Sequence, residues 1–373
     1  MVKFILISIL GLSILASCKS PQGPKDEKPK TNFNVIAYYA GNAEGIDSFE
    51  VEKLSHIIFS FCHLKEDRLS VDNARDTATI EKLVSLKKRN QDLKILLSLG
   101  GWGGCESCSP VFSQDSSRRN FALSVLELCN YFKADGIDLD WEYPAIEGYP
   151  GHAYIGEDRP NFTALVKTLR QTLGKKLEIS FAAGGFRKFF DESIDWKEVM
   201  PLVDRVNLMS YDLVSGFSTM TGHHTPLYSS PEQETSADFG IRYLDSLGVP
   251  ANKIVIGAAF YARTWENVSK KENGLYKSGK FKSFVAFKEF GKKLSPDSGF
   301  VHYRDAIAGA PYAYNERQAL FATFDDPASI GLKTAYAIRM GLNGIMFWEL
   351  SLDKFRGGLV QVIDSTIREN SKK

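Results

Sequence analysis

Short apolar runs recur along the chain at residues 34–40, 55–61, 94–100, 136–142, 177–183, 205–211, 253–261 and 344–350. Each is rich in branched and aromatic residues and apolar at nearly every position. That is the pattern of a strand buried on both faces of a parallel sheet. Between the runs the period lengthens to three or four residues over 78–89, 116–132, 159–173, 237–247 and 330–341, which predicts amphipathic helices. Pro160 falls in the first turn of the third of these, where its missing N–H leaves no bond unmade. Strands alternating with helices predict an α/β chain, and eight such units predict a (β/α)8 TIM barrel.

The chain has 373 residues, and such a barrel needs about 250. Part of the surplus lies between the seventh and eighth runs, where β-like pieces (284–287, 300–303, 318–324) and turn signals fill residues 266–327. This predicts a small α+β insertion domain in one βα loop, walling a cleft on the catalytic face. The rest lies at the start. Lys3 precedes an apolar stretch at 4–15, and Leu15-Ala-Ser-Cys18 follows it, so residues 1–17 read as a lipoprotein signal peptide with Cys18 as the lipidated terminus. Residues 18–31 are Pro- and Lys-rich without apolar period and read as a flexible tether. The barrel is then assigned to 32–265 and 328–370.

Composition narrows the function. The chain is 43% hydrophobic and 24% charged, with net charge +1, so no basic excess points to nucleic acid. The membrane is expected to be met only through a lipid at Cys18, and the chain is expected to act as a monomer. Cys105 and Cys108 sit in a Gly-rich loop, where export permits a local disulfide, and Cys62 and Cys129 read as buried thiols. No second Cys pair stands at zinc spacing, and no cofactor is expected. His223 and His224 read as a surface loop, since adjacent side chains rarely share an ion.

The fourth run carries the chemistry: Asp135-Gly-Ile-Asp138-Leu-Asp140-Trp-Glu142-Tyr143-Pro144. Alternate residues of a strand share a face, so Asp138, Asp140 and Glu142 point one way and Ile137, Leu139 and Trp141 the other. Acids crowded on one face repel each other, and their pKa values spread. That spread is what acid catalysis on a sugar requires. A calcium loop would need polar residues where Leu139 and Trp141 stand, whereas a magnesium or manganese site remains a rival. Further residues gather at strand ends, among them Ser98 to Trp102, Met209 to Asp212, residues 260–265 and Trp348. Trp102, Trp141, Trp265 and Trp348 all fall there, and indole planes suit pyranose faces.

These motifs together resemble glycoside hydrolase family 18 chitinases. The strand-four acids fit the family's D-x-x-D-x-D-x-E, SLGGW fits its S-x-G-G, and MSYD, GHHTPLY (222–228), FYARTW and Trp348 also agree. Ala262 stands where the family often has Gly, and the fifth run ends AAGG instead of with Pro. The resemblance implies Glu142 as general acid, Asp140 orienting the sugar's 2-acetamido group and Asp138 tuning Asp140. It implies Tyr211 on the acetamido oxygen, Asp212 on the bound sugar, Met209 and Tyr143 lining the cleft, and Trp348 as its floor. Tyr38 (or its neighbour Tyr39) and Ser98 are placed to hydrogen-bond Asp138, Arg263 to meet sugar or a neighbouring acid, and Trp102 to stack or pack. The implied activity is endo-acting chitin hydrolysis on N-acetylglucosamine oligosaccharides. An endo-β-N-acetylglucosaminidase acting on N-glycans and a chitinase-like lectin are the alternatives.

Overall fold

In the computed structural model residues 33–372 are described, together with Met1; the signal segment, the tether and Cys18 lie outside the described residues. Strands β1 (Asn34–Tyr39), β2 (His56–Lys65), β3 (Arg68–Ser70), β4 (Lys94–Gly100), β5 (Gly136–Asp140), β6 (Glu178–Gly184), β7 (Arg205–Met209) and β8 (Ile254–Ala259) follow in chain order. Strands β9 (Tyr261–Glu266), β10 (Lys280–Ala286), β11 (Val301–Asp305), β12 (Ala310–Asn315) and β13 (Leu320–Thr323) form a separate antiparallel sheet in the order β10-β9-β13-β12-β11. The chain then returns through β14 (Gly344–Trp348), which lies between β8 and β1. Pairing of β1 with β2 closes the parallel strands β1-β14-β8-β7-β6-β5-β4-β2 into the (β/α)8 barrel, while β3 only folds back on β2.

Strand alternation sorts the side chains into two layers. Ile36 and Tyr38 of β1 join Ile58, Leu96, Val255 and Met346 in the interior cluster. Val35, Ala37 and Tyr39 join the large cluster that holds most of the apolar core. On β5, Ile137 and Leu139 belong to the large cluster, which leaves the opposite face to Asp138 and Asp140. Caps set several helix starts: the side chains of Asn73, Ser236 and Asp326 accept from Asp76, Phe239 and Ser329 N–H. The cap at Asn73 starts the first helix at Ala74, ahead of the predicted 78, and it gives way to a tighter turn after Ser85.

Two expectations are corrected. The seventh run is not one strand. It breaks at Phe260, whose N–H donates to Trp348 O (2.9 Å), and residues from Tyr261 belong to the second sheet. The boundary drawn after residue 265 therefore cuts through β9. Strand β12 falls between the β-like pieces at 300–303 and 318–324 and carries a proline, which sheets admit only where a ladder bond is not needed. Pro311 is tolerated because only β11 pairs at that position, through Arg304; β13 pairing begins at Tyr312. A buried hub fastens the returning chain to the barrel. Asp325 Oδ2 accepts from Ala259 N (3.0 Å), Thr225 Oγ (3.0 Å) and Lys333 Nζ (2.6 Å), with both charged side chains fully buried.

Candidate active site

The C-terminal end of β5 delivers Asp138 and Asp140, and Glu142 follows two residues past the strand, so the predicted three-acid strand is divided between strand and loop. Asp138 is fully buried and fully engaged. Its Oδ2 accepts from Tyr38 Oη (3.0 Å) and Ser98 Oγ (2.9 Å), and its Oδ1 from Ser180 Oγ (2.6 Å) and Asn207 Nδ2 (3.1 Å). Burial raises its pKa; the Ser180, Ser98 and Tyr38 hydroxyls and the Arg205 charge oppose this without cancelling it. Tyr38, not Tyr39, is thus the inward tyrosine, and Tyr39 packs in the outer layer.

Asp140 is 4% exposed, and its Oδ1 is buried with no hydrogen-bond partner among the described residues. Burial, then the charges of Glu142 and Asp138, hold this carboxyl well above the ordinary range. Glu142 is partly buried and is pushed up to about 7 by burial, with Asp212 adding to the rise and a hydrogen bond from Tyr143 opposing it. Carboxyl groups this close in a poorly solvated space cannot all ionise, so the row keeps a proton near neutral pH.

Asp212, just past β7, behaves oppositely. Its backbone takes a left-handed φ of 56°, which aims it across the mouth towards β9. Oδ1 accepts from Tyr261 Oη (2.7 Å) and Arg263 Nε, and Oδ2 accepts from Arg263 Nη2. His224 Nδ1 lies 3.4 Å from Oδ1. Burial pushes Asp212 up, but the Arg263 guanidinium and His224 outweigh it and hold the carboxyl well below the usual range. The second sheet thereby reaches the site through Tyr261 and Arg263, both on β9.

Aromatic side chains frame the row. Trp348, the last residue of β14, stacks on Phe61 (centroids 5.6 Å, interplanar 14°) and lies 5.9 Å from Tyr38. Met209 packs with Trp348 against the interior cluster. Tyr211 is 8% exposed, edge-on to Tyr261 at 6.4 Å, with its hydroxyl 3.8 Å from Met346 Sδ. Tyr143 lies edge-on to Phe186 and Phe189 and 6.5 Å from Trp102, which is 47% exposed.

Trp265 is fully buried in the second sheet's core, its indole N–H donating to Ser218 O (2.9 Å), so it packs, and Trp141 packs between Phe112 and Phe162 on the face turned from the acids, as strand alternation predicts. One expectation fails here. His223 and His224 are fully buried, not on a surface loop. The loop bearing them is clamped to the second sheet: Thr221 N donates to Lys277 O (2.8 Å), His224 N to Thr323 Oγ (3.2 Å), and His223 Nε2 lies 3.1 Å from Asp305.

Sequence reasoning missed Ser180, Asn207 and Tyr261. A signal for two existed: Ser180 and Asn207 are isolated polar residues in apolar runs, at inward register beside Asp138. Cys105 and Cys108 form a disulfide, and Cys62 and Cys129 are buried free thiols. Among the described residues no group of three or more His, Cys, Asp or Glu side chains is placed to hold a metal ion.

Known proteins are similar to this chain over most of its length. Chitinase A1 of Niallia circulans is 32% identical over 96% of this chain and 64% of its own length, so the chain spans somewhat less than two thirds of that relative. Chitotriosidase-1 of Mus musculus is 30% identical over 81% of this chain and 68% of its own length. Among solved structures, a family 18 N-acetylglucosaminidase from Paenibacillus barengoltzii superimposes with a TM-score of 0.82 at 34% identity, covering 90% of this chain and 100% of that one. Residues 34–353 match the profile of "Glycosyl hydrolases family 18". With that match spanning the barrel, the acid row and the second sheet alike, the chain belongs to glycosyl hydrolase family 18.

Proposed function

We propose that the protein is a chitinase that hydrolyses β-1,4 bonds between N-acetylglucosamine units, using the substrate's own acetamido group as nucleophile. One observation carries this reading: Asp140 offers an unpartnered buried oxygen two residues from a carboxyl poised near pH 7. Asp212, also at the mouth, has both oxygens engaged by Arg263 and Tyr261, which leaves it a poor attacking group. The geometry therefore suits the substrate-assisted exception to the two-carboxylate scheme.

Protonated Glu142 gives its proton to the glycosidic oxygen, the leaving sugar departs, and the acetamido oxygen bonds to the anomeric carbon as an oxazolinium ion. Asp140 accepts the acetamido N–H and balances the positive charge, while the donors around Asp138 fix the row. Tyr211 holds the acetamido oxygen, Asp212 contacts the sugar, and Trp348 with Met209 forms the floor. Water then loses a proton to the Glu142 carboxylate and attacks the same carbon, so the β configuration is retained.

The test is the product profile on the N-acetylglucosamine tetramer, with the first-formed anomer read by NMR. Dimers with the β-anomer first are expected, and initial α-anomer would overturn the oxazolinium route. A second reading, release of single N-acetylglucosamine units, is favoured by the likeness to the Paenibacillus N-acetylglucosaminidase, and monomers as the main early product would establish it. Export and acylation at Cys18 belong to the same proposal. Cys18→Ala should move the chain from the membrane fraction to the soluble one, and an unchanged membrane fraction would contradict the lipid anchor.

A further inference from the structure

A cavity of about 640 Å³ lies beside the acid row and takes no part in the chemistry above. Phe61, His63, Trp102, Glu106, Tyr149 and His152 line it, drawn from β2 and from the segments after β4 and β5. Its position is set by two shared walls. Phe61 stacks on Trp348 at the cleft floor, and Trp102 reaches Tyr143, the neighbour of Glu142. The cavity therefore flanks the line from Trp348 to Trp102 instead of prolonging it.

Its walls are fixed in place. Tyr149 meets Trp102 edge-on at 5.6 Å, and this approach needs Gly103, where a Cβ would come within 3.1 Å of the Tyr149 ring and φ is +90°. Gly104 N donates to Gly101 O (2.9 Å), His152 N to Tyr149 O (3.0 Å), and the Cys105–Cys108 disulfide closes the loop beyond. His63 Nδ1 is held by Asp72 (2.7 Å), and the His152 ring lies 4.8 Å from Tyr149. Two aromatic rings 39% and 47% exposed, with imidazoles and a carboxylate around them, are the chemistry that binds a pyranose: apolar faces for the ring, donors and acceptors for its hydroxyls.

We propose that this cavity is a branch subsite, which takes a monosaccharide attached to a backbone sugar beside Trp102. The exocyclic O6 is the attachment that projects furthest from a β-1,4 chain, so a 6-O-linked sugar is the branch expected. The proposal rests on the glycosidase reading for the placement of the backbone, and hydrolysis of the linear trimer by the parent enzyme tests that reading separately.

The experiment is calorimetric binding to the Glu142→Gln full chain of two ligands. One is the linear β-1,4 N-acetylglucosamine trimer; the other is the same trimer with one α-1,6-linked fucose on its reducing-end sugar. The branched trimer should bind about three- to tenfold tighter, the scale of one stacking and a few polar contacts. Adding Tyr149→Ala or His152→Ala should erase that preference and leave affinity for the linear trimer within about twofold. Equal or weaker binding of the branched trimer, or a preference that survives both substitutions, would overturn the branch subsite.

Discussion

Glu178 and the Asp140–Glu142 pair, at opposite ends of the barrel, are treated in opposite ways. At the N-terminal end Glu178 of β6 is held by two cations and an imidazole: Lys94 and Arg205 both donate to it, and His56 Nε2 lies 3.0 Å away. Burial pushes Glu178 up, yet His56, Arg205 and Lys94 bring it well below the usual carboxylate range. At the C-terminal end Asp140 is buried and Glu142 partly buried, with no cation in contact with either among the described residues, and both are raised. The same residue type in the same barrel is locked as an anion at one end and kept able to hold a proton at the other. The difference lies in the partners supplied, and it separates a structural charge from a reactive one.

Each end can be broken selectively. Glu142→Gln removes the proton donor and should lower kcat about 10²- to 10⁴-fold on the N-acetylglucosamine tetramer, with melting temperature little changed. Asp140→Asn should cost about 10²- to 10³-fold in kcat, since its charge is needed only as the oxazolinium ion forms. A variant retaining more than a tenth of parent turnover at either position would contradict these roles.

Glu178→Gln should do the reverse: it leaves Arg205 buried without its anion and costs about 3 kcal/mol of stability in urea titrations, while the pH–rate profile stays in place. The sign with pH follows from its lowered pKa. Its contribution is full above the unfolded value of about 4.3 and fades as pH falls below it, so parent and variant should converge in acid.

A smaller change sharpens the contrast at the mouth alone. In the proposed mechanism Glu142 is an acid only while protonated, so kcat/KM should fall as pH rises through about 7. The negative charge of Asp212 raises Glu142. In Asp212→Asn that charge is gone and Arg263 is left unbalanced, so the falling limb should move down by about 0.5 to 1 pH unit. A limb that stays put, or moves up, would show that Asp212 does not set the acid.

How much of this was legible in sequence follows from range. The barrel was readable because each strand announces itself locally, as in residues 94–100 and 254–259. The acid row was readable because its members lie within five residues of chain, Asp138 to Glu142. The partners were less so. Ser180, Asn207 and Tyr261 reach the row or Asp212 from positions some 40 to 70 residues away, and a lone polar residue in an apolar strand marks an inward polar site without naming the acid it meets. The burial of His223 and His224 depends on the second sheet folding over their loop, which the residues of that loop do not state. Trp265 was left open for a related reason: its place at the end of an apolar run fits both a strand end and a sheet core, and only the break at Phe260 decides between them.

The account turns on an amide of the sugar standing where other glycosidases place a second carboxylate. The most direct measurement compares kcat/KM on the N-acetylglucosamine tetramer with that on its fully deacetylated glucosamine counterpart, at one pH with one enzyme preparation. Turnover of the acetylated tetramer with none detectable for the deacetylated one is the expected result. Comparable cleavage of both would show that a side chain of the protein attacks the sugar, and the assignment of Asp140 would fall with it.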